Sequence, residues 1–158
     1  YIDSSQQGQL CKLRVTGFKP PIRYNEYTDD AKKKDARELR RLDFINYIAS
    51  ELFKYQNKTN LAFPNSRVLV ESIADAGNQL CSQKQLSRSF FAHHGFLSKE
   101  IREDIEVGAR TGDRLMTICC TSTLELGIDL GSVDTVFQIT APSNVLSLIR
   151  VFDPAPRI

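Results

Sequence analysis

The chain has 158 residues, of which 41% are hydrophobic and 25% charged, and a formal net charge of +2. That length and balance fit one globular domain with its own core, and they exclude a disordered or low-complexity polypeptide. A charge of +2 is too small to argue for nucleic-acid binding by itself, and no apolar run approaches the ~20 residues needed to cross a bilayer.

The sequence starts at Tyr1 without a signal-peptide pattern, so the expectation is an internal piece of a longer, cytoplasmic polypeptide. Cys11, Cys81, Cys119 and Cys120 include no C-x-x-C pair. They read as buried free thiols of a reducing compartment rather than as disulfide or metal ligands.

In chain order, residues 9–16 alternate, with Cys11, Leu13 and Val15 on one side and Lys12 and Arg14 on the other, which predicts a half-buried strand. Lys19-Pro20-Pro21 ends it in an extended connection. Residues 32–56 read as one helix or two joined, with the apolar stripe Leu42, Ile45, Ala49 and Leu52. Lys32-Lys33-Lys34 and Arg40-Arg41 form its charged face, either solvated or phosphate-contacting.

Residues 60–63 form a short strand, and Pro64-Asn65-Ser66-Arg67 turns into a helix capped by Asn65 or Ser66. That helix carries Leu69, Ile73, Ala76 and Leu80 on one stripe. A helix start that follows a strand offers free N–H groups and a positive dipole end to phosphate, and Arg67 adds a charge there.

Residues 87–92 make the next strand, which ends in His93-His94-Gly95. Adjacent side chains at a strand end point to opposite sides, so the two histidines make a poor metal pair. Ser98 caps a helix reaching to about Ala109, with Glu100 in its first turn, Arg102 one turn in, and Ile101 and Ile105 facing inward. Thr111-Gly112-Asp113 is a turn.

The apolar run 115–120 predicts a strand buried on both faces. A polar crossover through Thr121-Ser122-Thr123 and Gly127-Ile128-Asp129 leads to a last strand at 135–139. Strands alternating with helices imply an α/β fold with a mainly parallel sheet. Such sheets bind ligands beyond the carboxyl ends of their strands, where Thr121, Ser122, Thr123, Gly127 and Asp129 fall.

Four stretches, in order, resemble the second RecA-like domain of superfamily 2 helicases, the Lhr-like group related to the DEAD-box group most of all. Leu61-Ala62-Phe63-Pro64-Asn65-Ser66-Arg67 is similar to motif IV. His93-His94-Gly95-Phe96-Leu97-Ser98-Lys99-Glu100-Ile101-Arg102 is similar to the His-His-Gly…Ser…Arg segment behind it. Thr121-Ser122-Thr123-Leu124-Glu125-Leu126-Gly127-Ile128-Asp129 is similar to motif V and is the most specific of the four. Ala141-Pro142-Ser143 through Arg157 stands where motif VI belongs.

The resemblance implies a RecA-like mainly parallel sheet with helices on both faces, residues 1–158 being the C-terminal half of a two-domain motor. In these helicases two such domains clamp ATP, and a single strand of DNA or RNA, held by its phosphates, crosses both. The first domain of the same polypeptide carries the P-loop and binds Mg²⁺. By resemblance, Ser66, Arg67, His94, Gly95, Arg102, Thr121 and Ser122 belong to the strand-binding face. Gly127 and Asp129 approach the nucleotide, where a carboxylate accepts a ribose hydroxyl; a loop carboxylate capping a turn is the plainer alternative for Asp129.

Motif VI departs from the family. Of its arginines only Arg157 has a counterpart; Val151 and Pro154 stand where arginines are expected, and Asp153 and Pro156 replace glycines. Either motif VI is degenerate, leaving Arg157 as the candidate arginine finger, or residues 151–158 are not the natural sequence. Two functions follow: the C-terminal motor domain of an ATP-dependent helicase, or a non-catalytic nucleic-acid-binding or scaffold domain on the same fold.

Overall fold

A computed structural model describes residues 14–19, 30–121 and 132–141. Within them the chain forms helix α1 (Asp30–Phe53), strand β1 (Asn60–Phe63), helix α2 (Arg67–Gln83), strand β2 (Phe90–His93), helix α3 (Lys99–Thr111), and strands β3 (Thr117–Cys120) and β4 (Thr135–Gln138). The strands make one sheet in the order β2-β3-β1-β4, with every pairing parallel. This is the RecA-like α/β arrangement expected, with helices on both faces.

Alternation along each strand divides the core in two. Ala62, Phe90 and Cys119 point toward one face, where they pack with Ile45, Ala49 and Leu52 of α1 and Val70, Ile73 and Ala74 of α2. Phe63, Ile118 and Cys120 point to the other, against Ile105 and Ala109 of α3 and Met116. Every residue of β3 is buried, because it has a strand on each side and helices on both faces. Its apolar run is therefore continuous rather than alternating.

Cys81, Cys119 and Cys120 are buried free thiols, and burial pushes the Cys119 thiol up to about 12, so it stays protonated. Cys11 lies outside the described residues. Among the described residues no helix is long and apolar enough to cross a membrane.

Polar anchors fix where the sheet starts. Asn60 is fully buried, and its Nδ2 donates to Tyr55 O (2.8 Å), Lys58 O (3.1 Å) and Thr117 Oγ1 (3.1 Å). Thr59 N donates to Asp134 Oδ2 at 2.8 Å, and Asp134 N returns a bond to Thr59 O at 2.9 Å, tying the entry of β4 to the entry of β1. On the edge strand β2, Asn78 of α2 takes both backbone groups of Phe90: its Nδ2 donates to Phe90 O (2.8 Å) and its Oδ1 accepts from Phe90 N (3.1 Å). That closes part of an edge that would otherwise be unpaired.

Three expectations need correction. Of the strand expected at residues 9–16, residues 9–13 lie outside the described residues, and the rest, 14–16, is not a strand, with Val15 86% exposed. Residues 14–19 instead dock Phe18 on α1, its ring centroid 5.4 Å from that of Phe44 and 5.2 Å from that of Tyr47. Leu42 and Ile101, predicted to face inward, are each about half exposed. Leu42 stands at the edge of a stripe of which only Ile45, Ala49 and Leu52 reach α2 and the sheet. Ile101 sits in the first turn of α3, ahead of the turn where Ile105 meets the core.

Candidate nucleic-acid interface

The parallel register brings the strand ends level: Ala62 and Ala92 both pair with Cys119, and His93 pairs with Cys120. The segments that follow β1, β2 and β3 therefore leave the sheet side by side. They carry Ser66 and Arg67, His94 and Gly95, and Thr121. The described part of the predicted strand-binding set thus gathers at one edge. Ser122, Gly127, Asp129 and Arg157 lie outside the described residues.

Ser66 is the N-cap of α2, in extended conformation at φ −146°, ψ 148°, and its Oγ accepts from Leu69 N at 3.3 Å. An accepting hydroxyl keeps its own proton to donate elsewhere. The first N–H groups of a helix have no acceptor within it, and the first turn of α2 holds no acidic side chain. The first turn of α3 contrasts with it. Ser98 caps Ile101 N at 3.4 Å, and Glu100 stands in that turn. Hydrogen bonds from the backbone and from Ser98 hold the Glu100 carboxyl below its ordinary range. Of the two helix ends, that of α2 is the one electrostatically open to an anion.

Arg67 is exposed, its guanidinium carbon 4.4 Å from the centre of the Phe96 ring. Phe96 belongs to a turn closed by Leu97 N donating to His94 O at 3.1 Å. Gly95 in that turn is exposed, with no atom within 4 Å of where a side chain would start, so its edge of the loop is bare backbone. Thr121 is half-buried, and its N donates to His93 O at 3.3 Å, extending the β2–β3 pairing by one residue. Arg102 follows one turn into α3, partly buried; its Nε is shut off from solvent and has no hydrogen-bond partner among the described residues.

The two histidines do point apart, and both are buried. His93 Nε2 is 2.8 Å from Glu106 Oε1 of α3, in hydrogen-bond geometry. His94 Nε2 is 3.0 Å from Glu71 Oε1 of α2, close enough for an ion pair when the ring is protonated but out of line for a hydrogen bond. His94 thus ties the turn to α2, and its ring does not face solvent. Sequence reasoning missed Glu71, Glu106 and Phe96. The carboxylates sit on helix faces that periodicity assigns only to the outside. The sole signal for Phe96 was an aromatic directly after Gly95 in a loop.

Comparison with known proteins identifies the family of the chain. The family described as helicase conserved C-terminal domain matches residues 43–157. The chain is 32% identical over 111 residues to the ATP-dependent helicase Lhr-Core of Sulfolobus acidocaldarius, covering 69% of this chain and 12% of that one. Among solved structures, helicase Lhr of Mycobacterium smegmatis bound to ssDNA and AMP-PNP superposes with a TM-score of 0.58 at 29% identity, over 84% of this chain and 16% of that one. The DUF1998 helicase MrfA bound to DNA gives 0.59 at 26% identity, over 70% of this chain and 15% of that one. The chain therefore spans less than a fifth of the length of each of these proteins.

Proposed function

The chain belongs to the helicase conserved C-terminal domain family, in its Lhr-like group, and from that premise we propose that it is the C-terminal motor domain of an ATP-dependent nucleic-acid helicase. In this reading residues 1–158 form one RecA-like domain that supplies half of a strand-binding track and half of a nucleotide cleft. A first RecA-like domain of the same polypeptide supplies the other halves, including the P-loop and the Mg²⁺ ligands. Work on nucleic acid and ATP puts the protein inside the cell.

One observation carries the proposal: Ser66, Arg67, Gly95 and Thr121 converge at the carboxyl edge of three adjacent parallel strands. A helix start, exposed backbone at a glycine, hydroxyls and an arginine are the groups that hold phosphates without reading bases. His94, tied to Glu71, fixes the turn that presents Gly95. Arg102, partly buried one turn into α3, is the further positive group that the resemblance assigns to this track. By the same resemblance, Ser122 belongs to the strand-binding set in this reading. Gly127 and Asp129 are the candidates for nucleotide contact, and Arg157 is the candidate arginine finger. ATP would supply the energy that moves this edge relative to the first domain.

Motif VI favours the second reading. With Val151 and Pro154 at arginine positions, a strand-binding or scaffold domain without turnover remains the alternative. The test titrates a labelled single-stranded oligonucleotide against the full-length protein and its Arg67→Ala and Arg102→Ala variants at two salt concentrations, with nucleic-acid-stimulated ATP hydrolysis measured beside it. Binding should weaken in both variants and fall with salt. Unchanged binding in both would place the strand elsewhere, and strand binding without ATP turnover would select the scaffold reading.

A further inference from the structure

The described residues hold one exposed aromatic side chain, Phe96, which is 83% exposed. It neither dangles at a terminus nor covers a neighbouring apolar surface. The turn closed between His94 and Leu97 holds it, and the Arg67 guanidinium rests on one face of its ring at 4.4 Å. Phe91, also approached by arginines, has Arg114 at 4.8 Å and Arg88 at 5.8 Å and is partly buried in the core. Phe96 has one cation and otherwise meets solvent. An aromatic carried on a closed turn, backed by a guanidinium on one face and open on the other is a stacking surface, and it adjoins Arg67 and Gly95 on the proposed strand track.

We propose that the open face of the Phe96 ring stacks a nucleobase of the bound single strand while Arg67, against its other face, meets the adjacent phosphate. The inference rests on the strand-binding reading and adds a base contact to a track otherwise made of backbone contacts. Stacking tolerates any base, since each has a π face, so it adds affinity without sequence preference. The ring also pre-positions the guanidinium, whose cation–π contact leaves its N–H edges free to fork onto a phosphate.

The experiment uses the full-length protein and two labelled probes of equal length: a single-stranded oligothymidylate and the same backbone with abasic sites throughout. Phe96→Ala and Phe96→Leu should bind the thymidylate about 5- to 150-fold more weakly, the range spanned by one base–aromatic stack. Affinity for the abasic probe and the salt slope should stay as in the parent. Phe96→Trp should bind thymidylate at least as well as the parent, and Arg67→Ala should weaken both probes and lower the salt slope by about one. If Phe96→Ala weakens both probes equally, the ring merely positions Arg67 and the stacking proposal is overturned. If Arg67→Ala weakens binding while Phe96→Ala and Phe96→Leu do not, stacking is overturned and the strand-binding reading stands. If no variant changes binding to either probe, the strand-binding reading itself fails and stacking falls with it.

Discussion

Gly77 of α2 faces Phe90 of β2 with no room between them: a Cβ added at Gly77 would lie 2.4 Å from Phe90 Cδ1. The ring is fully buried and belongs to the core shared by α1, α2 and the sheet. A glycine in a helix interior costs about 1 kcal/mol relative to alanine. Here it is retained because it lets the helix lie directly on an aromatic ring.

Gly77→Ala therefore sets a helix-propensity gain of about 1 kcal/mol against an overpacked core costing about 1–3 kcal/mol. The clash should win, since the ring is walled in by core residues and is not the free end of a flexible chain. The expected outcome is a lower midpoint in chemical denaturation. A raised midpoint would show that α2 can lift off the sheet at little cost.

Asn60→Ala should destabilise by about 2–3 kcal/mol, because it strands the carbonyls of Tyr55 and Lys58 beside a buried Thr117 hydroxyl. Asn60→Leu should do no better, since its added apolar surface does not satisfy those carbonyls. Urea denaturation of both variants checks this.

Ser66 combines two roles that a single substitution can separate. Ser66→Asp keeps an N-cap acceptor for Leu69 N, so thermal stability should hold within about 0.5 kcal/mol. It also places a negative charge where a phosphate would sit, so single-strand affinity should drop about 3- to 10-fold. Ser66→Ala should instead lose about 1 kcal/mol of stability. Paired melting and oligonucleotide titration would decide, and equal strand affinity in Ser66→Asp and the parent would remove Ser66 from the track.

Glu100 makes the fold pH-dependent in one direction. Its carboxyl sits below the ordinary value of 4.5 through hydrogen bonds from the backbone and Ser98. Its ionised form therefore favours the folded state above about pH 4.5, and that preference fades as pH falls through the lower folded value. Glu100→Gln should melt slightly below the parent near neutral pH, and the gap should narrow and close as the pH is lowered below 4.5. A gap that persists in acid would assign the difference to packing.

Much of this was legible in the sequence. The strands and helices from residue 60 onward follow from apolar period, caps and turn residues, and Ser66, Ser98 and the left-handed Gly112 (φ 68°) end their helices as residue chemistry requires. The gathering of Ser66, Gly95 and Thr121 follows from the rule for parallel sheets. What failed needed tertiary partners. The end of the alternation, at Val15, needs a sheet edge to join, and in the described residues Phe18 packs on α1 while Val15 stays exposed. The stripe through Leu42 says which side is apolar but not how far along the helix the core reaches. The His93–Glu106 and His94–Glu71 pairs join residues from separate elements, and no local pattern encodes them.

The strand order has a consequence for biogenesis. Among the described residues β1 pairs with β3 and β4 alone, and β2 with β3 alone, so neither early strand has a partner there until Thr117–Cys120 has been made. At ribosomal speeds of about 5–20 residues per second, the wait between Phe63 and Thr117 lasts about 3–11 s. During it α1 and α2, neighbours in sequence, can close on each other. The apolar flanks of β1 and β2, Leu61 to Phe63 and Phe90 to Ala92, stay open to misassociation or to a chaperone. Arrest of translation with β3 still inside the ribosomal exit tunnel and with β3 clear of it, followed by protease challenge of the nascent chain, should find resistance only in the longer form.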